Sequence, residues 1–499
     1  MPKPLLALSF LFISLSVIKV SAQQKTTLSI DENKTHQTIR NFAASDAWSA
    51  QFVGNWPDEK RNAIADWLFS LDTLPNGNPK GIGLSMWRYN LGAGSAGQDS
   101  SGINDEWRRA ALTTSDKESE IKKVQAQNWF LQAAKKRGVK EFLAFYNSPP
   151  VMYTKNGKSF ATKAQTNIDK KDYGAFAKYT VEAFKKIQAS TGVAFNYISP
   201  VNEPQWDWSD GGQEGCPYNN AEISDLVKAF SEVFKQNKVA TKLLVTESGD
   251  LKFLLSAGMK NDKDAQVYDL FNLASASYIG DLSNVSKSIA AHSYFTTSPI
   301  EKGIALRNKI RDSIATIKGL EYWQSEYCIL GENGGEIDGS KKDLGMKAAL
   351  YVAKVMYEDL AEGDAAAWQW WTSISAYDYK DGLVYIDKSE TGGNISDSKM
   401  LWAMGNYSRF VRPGMKRIEV GINSKDLLVS GYKDFTKGTT VLVFVNESAE
   451  EKTIEYTGVS TGKKIITYTT DETRSLAKSN ATLNDLVIAA KSVVTVVIK

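Results

Sequence analysis

Metal-binding side chains are scarce in this chain. It has two cysteines, Cys216 and Cys328, and two histidines, His36 and His292, in 499 residues. None of them stands at the spacing of a zinc site, so no metal is expected. Two cysteines cannot make a disulfide scaffold either, and export would permit at most one bridge, Cys216 to Cys328. An excess of one charge is also missing. Lys and Arg total 60 against 57 Asp and Glu, and no long basic block stands out. That removes the electrostatic case for a nucleic-acid partner or a membrane surface.

Long apolar runs are equally rare. Leu5 to Ile18 is the one candidate, and it is short for a bilayer span. With Lys3 before it and Val20-Ser21-Ala22 after it, it reads as a signal peptide over residues 1–22, cleaved before Gln23. A secreted or periplasmic protein without a membrane anchor is expected. No cysteine lies near that cleavage point, which argues against a lipid anchor. Sequons such as Asn33 and Asn446 matter only if the source glycosylates its exports.

Aromatics are plentiful, with 13 Trp and 21 Tyr. Most must pack the core; the informative ones crowd predicted strand ends. Strand-like and helix-like stretches alternate through most of the chain. The strands are predicted at 41–45, 83–90, 141–147, 195–201, 242–246, 288–295, 320–327 and 365–371. Helical stretches lie between them, such as Glu118–Arg137 and Ala221–Asn237. Alternation of this kind predicts an α/β fold, a (β/α)8 TIM barrel over residues 41–406. After about Tyr407 the texture becomes β-rich and alternating, which predicts an antiparallel side β-sandwich over 407–499. Residues 23–40 contain a further strand, expected to join that sandwich.

Barrel strands point their C-terminal ends at one face, so residues distant in sequence meet there. At the exit of strand four the chain reads Ile198-Ser199-Pro200-Val201-Asn202-Glu203-Pro204-Gln205-Trp206, and at the exit of strand seven it reads Tyr322-Trp323-Gln324-Ser325-Glu326-Tyr327. Two strand-end glutamates beside aromatic rings are what sugar hydrolysis needs: one carboxyl to protonate a leaving oxygen, another to attack the anomeric carbon. A random Glu is usually a solvated loop residue; the placement of Glu203 and Glu326 argues otherwise. Asn202 can bond a sugar hydroxyl. Arg88 can pair with the attacking carboxylate, and Tyr294 can donate to it. His292 can contact substrate or simply pack. Trp371 is the expected stacking platform, with Trp48, Trp206 and Trp208 as further cleft candidates. At least one of Trp368, Trp370 and Trp371 must point into the barrel wall instead, because strand side chains alternate. Glu247, at the end of strand five, is the rival carboxylate.

At this point the chain resembles family 30 of the glycoside hydrolases. The resemblance rests on VNEP at Val201–Pro204, QSEY at Gln324–Tyr327, WRYNLGAGS at Trp87–Ser95 and MGNYSRFVRPG at Met404–Gly414. It implies a retaining enzyme with Glu203 as acid/base and Glu326 as nucleophile, and no cofactor. The first strand, Asn41-Phe42-Ala43-Ala44-Ser45, departs from the glycines the family usually places around the Phe. The WDW…QEGC…N pattern after Glu203 is most similar to the galactan-cleaving branch. The expected partner is therefore a polysaccharide, most of all β-1,6-galactan, acted on by a monomer. A β-1,6-glucanase or other β-glycosidase is the alternative within the family. A non-catalytic carbohydrate-binding protein would need neither both carboxylates nor Asn202.

Overall fold

The computed structural model describes residues 26–98, 102–256, 258, 262–457, 465–483 and 486–499. The signal segment expected at 1–22 lies outside the described residues. No described helix is long and apolar enough to cross a membrane.

Eight parallel strands form the central sheet: Asn41–Ala44, Met86–Asn90, Glu141–Phe145, Tyr197–Ser199, Lys242–Ser248, Val285–His292, Glu321–Glu326 and Ala367–Trp370. They neighbour one another in chain order, and strand eight pairs with strand one. Two backbone bonds span the last seam. Ser85 donates to Phe42 and Asp46 donates to Arg88, each at 3.0 Å. The expected barrel is present.

Parallel neighbours require crossovers, and helices supply them. The helix Asn220–Gln236 begins on a capping box in which Asn219 and Glu222 satisfy each other's backbone donors. The helix Tyr173–Thr191 stops at Gly192, whose φ of 67° suits glycine. Alternation along the strands sorts the side chains. Met86, Leu143, Leu244, Ala290 and Trp323 fill the barrel's lower interior. Trp87, Phe142, Ile198, Ile289 and Tyr322 face outward under the helices.

Of the remaining described strands, five form two small sheets within residues 332–338 and 374–397, and nine form one large sheet that folds back on itself. Leu28, Ile418, Phe444, Ile465 and Ile488, from strands across its width, share one apolar cluster. The N-terminal strand Thr26–Thr38 pairs antiparallel with Lys416–Ile422 but parallel with Lys452–Thr457. This corrects the wholly antiparallel sandwich expected from sequence; no hairpin links these segments, so nothing local fixes their direction. The strand Thr439–Asn446 is buried on both faces. Leu442 and Phe444 enter the sandwich core, whereas Val441, Val443 and Val445 pack toward the barrel helices. Its unbroken apolar run, VLVFV, reflects that double burial.

Cys216 and Cys328 are both buried and free, so no bridge joins them. The Cys216 sulfur accepts from the Asn167 backbone, and Cys328 lies 3.9 Å from the Tyr294 hydroxyl. Asn446 is fully buried and donates to Glu450 and Ala489 backbone oxygens, which leaves no amide for a glycan.

Candidate active site

The upper interior of the barrel is charged where the lower interior is apolar. Strand two places Met86 and Arg88 on the inner side two residues apart, with Trp87 outside. Arg88 is fully buried and lies over the Phe145 ring at 3.8 Å. Its Nη1 donates to Glu326 Oε2 at 2.6 Å, and its Nη2 donates to Asn202 Oδ1 at 3.2 Å. Tyr294 donates to the other Glu326 oxygen at 3.1 Å. Glu326 is thus held from two sides.

Glu203 and Glu247 reach the same centre by less regular backbone. Both are non-glycine residues with positive φ, 44° and 52°. Such geometry costs on the order of 1 kcal/mol or more each and needs support from its surroundings. The Glu203 backbone N–H supplies some of it by donating to the Glu247 carbonyl at 2.8 Å. Strand five also shifts register against strand six between Thr246 and Ser248. Leu244 lies inside the barrel, so simple alternation would send Glu247 outward; the irregularity aims it inward.

His292 joins the three carboxyls. Its Nδ1 is 2.9 Å from Glu203 Oε1 and 3.7 Å from Glu326 Oε1, and its Nε2 is 3.2 Å from Glu247 Oε2. One oxygen each from Glu203 and Glu326, with one His292 nitrogen, all lie within 4.8 Å of one another. Asn202 donates to Asn147 Oδ1 at 3.1 Å, which fixes its amide beside Glu203.

Burial and charge separate Glu203 from Glu247. Burial raises Glu203 above the ordinary carboxyl value, and the contact with His292 offsets this only in part. Burial acts on Glu247 too, but Arg88, His292 and the Ser199 hydroxyl outweigh it and hold that group down at about 2. Burial disfavours the His292 cation, yet Glu326, Glu203 and Glu247 raise it to about 9. Arg88 and His292 each lie within 4.0 Å of both Glu247 and Glu326. Glu203 is the carboxyl that its surroundings favour as the neutral acid.

A cavity of about 680 Å³ opens above this cluster. Glu203, Glu326, Asn202, Tyr294, Trp48, Trp206, Trp208 and Trp371 all line it. Arg88 and His292 lie beneath it with no exposure, so they support the site from below and do not form its surface. Trp48 and Trp371 meet edge to face at 5.0 Å. Trp368 and Trp370 are fully buried away from the cavity, bonded to Asp359 and to the Asp381 carbonyl. Sequence reasoning missed Asn147, Arg108, Phe295, Tyr379 and Asp381 on the cavity wall. Asn147 closes strand three as Glu203 follows strand four, and that position was its only signal.

Residues 25–385 match the model of O-glycosyl hydrolase family 30. The chain belongs to that family. It is 32% identical to a conserved exported protein from Bacteroides fragilis, with a TM-score of 0.87 over 94% of this chain and all of that one. The catalytic domain of a family 30 xylanase C from Talaromyces cellulolyticus shares the fold, at 20% identity and a TM-score of 0.69, covering 95% and 100% of the two chains. A glucuronoxylanase, XynC from Bacillus subtilis strain 168, is 24% identical over 336 residues, 64% of this chain and 64% of its own length. As a family 30 member the protein is a glycoside hydrolase, with a barrel and a side β-domain.

Proposed function

We propose that this glycoside hydrolase cleaves a neutral β-linked polysaccharide with retention of configuration, and that its substrate is β-1,6-galactan cut within the chain. The observation that carries the mechanism is the approach of Glu203 and Glu326 within 4.8 Å across the cavity floor. Retaining enzymes hold the two carboxyl groups about 5–5.5 Å apart, whereas inverting ones need about 6.5–9.5 Å to admit water.

In the first step Glu203 gives its proton to the glycosidic oxygen as the bond from that oxygen to the anomeric carbon breaks. Glu326 forms a bond to the same carbon. In the second step water attacks that carbon, its proton passes to Glu203, and the bond to Glu326 breaks. Arg88 and Tyr294 orient the Glu326 carboxylate for attack. Asn202 offers its amide to a sugar hydroxyl, and Trp371 offers an indole face to the ring.

The wall of the cavity supports an uncharged substrate. Arg108 is the one basic residue among its described lining residues, against Asp207, Asp210 and Asp381. Arg108 is already engaged, 5.1 Å from the ring centres of both Trp48 and Tyr377. A uronic-acid branch would meet like charge there. The loop pattern after Glu203 supports galactan in particular. Export through the segment at 1–22 and action as a monomer belong to the same proposal.

The test is release of reducing ends from β-1,6-galactan, β-1,6-glucan, xylan and glucuronoxylan. Galactan is expected to be the best substrate, with the β-anomer appearing first in proton spectra of the products. Faster glucan cleavage would replace the substrate, an α-anomer would overturn the mechanism, and binding without release would favour a lectin.

A further inference from the structure

We infer that Glu247 is a positioning residue of the reaction, which holds His292 in place and charged beneath Glu203. The inference rests on the reading of Glu203 as acid/base. Glu247 is fully buried and does not line the cavity, so it has no path to substrate. Both its oxygens are committed. Oε1 accepts from Ser199; Oε2 accepts from Ser325 and faces His292 Nε2 at 3.2 Å and Arg88 Nη2 at 3.6 Å. Its backbone carbonyl accepts from Glu203. Glu247 therefore ties its own strand five to strands two, four, six and seven through its side chain, and to the segment that bears the acid through its backbone.

The His292 ring has a carboxyl group at each nitrogen, Glu247 at Nε2 and Glu203 at Nδ1. An imidazolium can donate at both. The charged and titratable groups that face it are Arg88, Glu203, Glu247, Tyr294 and Glu326. Glu203 and Glu326 change charge during the proposed cycle; Glu247 does not. A fixed anion behind His292 keeps the ring cationic when Glu203 releases its proton, and the new carboxylate then receives the Nδ1–H. His292 itself keeps its protons throughout.

The test uses the full-length protein with E247Q and E247D. In E247Q the ring loses its fixed anion, so the carboxylate form of Glu203 loses support. The alkaline limb of kcat/KM, which reports the protonated acid, is expected to move up by about 1 pH unit, and kcat/KM to fall about 10–100-fold. E247D keeps the charge and should leave the limb where wild type has it. An unmoved limb in E247Q, or an equal shift in E247D, overturns the inference. A measurement on the wild type stands apart from how these variants fold. With two histidines in the chain, ¹⁵N-histidine spectra with H36Q for assignment read His292 directly. Both ring nitrogens should be protonated at pH 7, and a neutral ring overturns the inference. Loss of turnover in E203Q and E326Q, with no effect at Glu247, would sink this inference alone. Turnover retained in those two variants would sink the reading beneath it.

Discussion

Two buried ionic clusters sit back to back in this barrel, and only one of them faces a cavity. The first joins Arg88, His292, Glu203, Glu247 and Glu326 beneath the cleft. The second lies outside strands six and eight. Arg307, fully buried, bonds Asp359 at 2.8 Å and lies 3.3 Å from Glu358, while Ser293 and Trp368 donate to Asp359. Adjacent residues, His292 and Ser293, contribute to opposite clusters. Burial raises Glu358 to about 8 even against the pull of Arg307, a larger departure than its chemistry would suggest. A perturbed carboxyl therefore does not identify a site by itself. What distinguishes the first cluster is access: two of its carboxyls line a cavity rimmed by indoles, while the second is closed on all sides by the fold. The first can do chemistry on a ligand, and the second can only hold the wall in place.

If access decides function, the largest effect belongs to Glu326. E326Q should lower turnover of the polymer by at least about 10⁴-fold while near-ultraviolet circular dichroism stays native. Wild-type activity in that variant would erase the distinction between the clusters. The second cluster should fail in the opposite sense. R307M leaves Asp359 buried without its cation and should cost about 3–5 kcal/mol of unfolding free energy in urea, with kcat of the folded enzyme changed only a few-fold. A collapse of kcat without a loss of stability would mean that the second cluster is not merely structural.

A subtler separation comes from pH. Folded, Glu358 holds its proton up to about 8; unfolded, it releases it near the ordinary 4.5. The folded state thus binds the extra proton between those values, and stability should fall as pH rises through that window. E358Q should flatten this slope, measured as melting temperature against pH in both proteins. The smallest expected effect is at the cleft wall. W371A removes one indole of the pair with Trp48 and should weaken substrate binding by about 0.5–1.5 kcal/mol, seen in KM more than in kcat.

Much of the barrel was legible because its signals are local. The strands fall where the alternation of strand-like and helix-like stretches predicted them, and the helices ending at Lys136 and Gln236 stop within a residue of the expected Arg137 and Asn237. Glu326 was legible because it stands at the exit of strand seven, although a register shift against strand six aims it inward. Glu247 was harder to read. Its inward aim depends on a register shift against the neighbouring strand, and no pattern within strand five records that. His292 looked equally like a substrate contact or a packing residue; its position between three carboxyls involves strands four, five and seven, which sequence leaves far apart. The parallel pairing of Thr26–Thr38 with Lys452–Thr457 was hidden for the same reason, since it joins segments more than four hundred residues apart.

The order of the residues was enough to determine the alternating strands and helices, the exits at which Glu203 and Glu326 stand, and the family to which the chain belongs. These follow from short-range periodicity and from motifs that each occupy a few consecutive positions. The tertiary structure alone decided which carboxyls burial pushes up and which are held down, that Glu247 stays beneath the floor, that the cysteines remain apart, and that the cavity wall is acidic. Each of these depends on burial and on distances between elements, and electrostatic energy is fixed by separation in space, not along the chain.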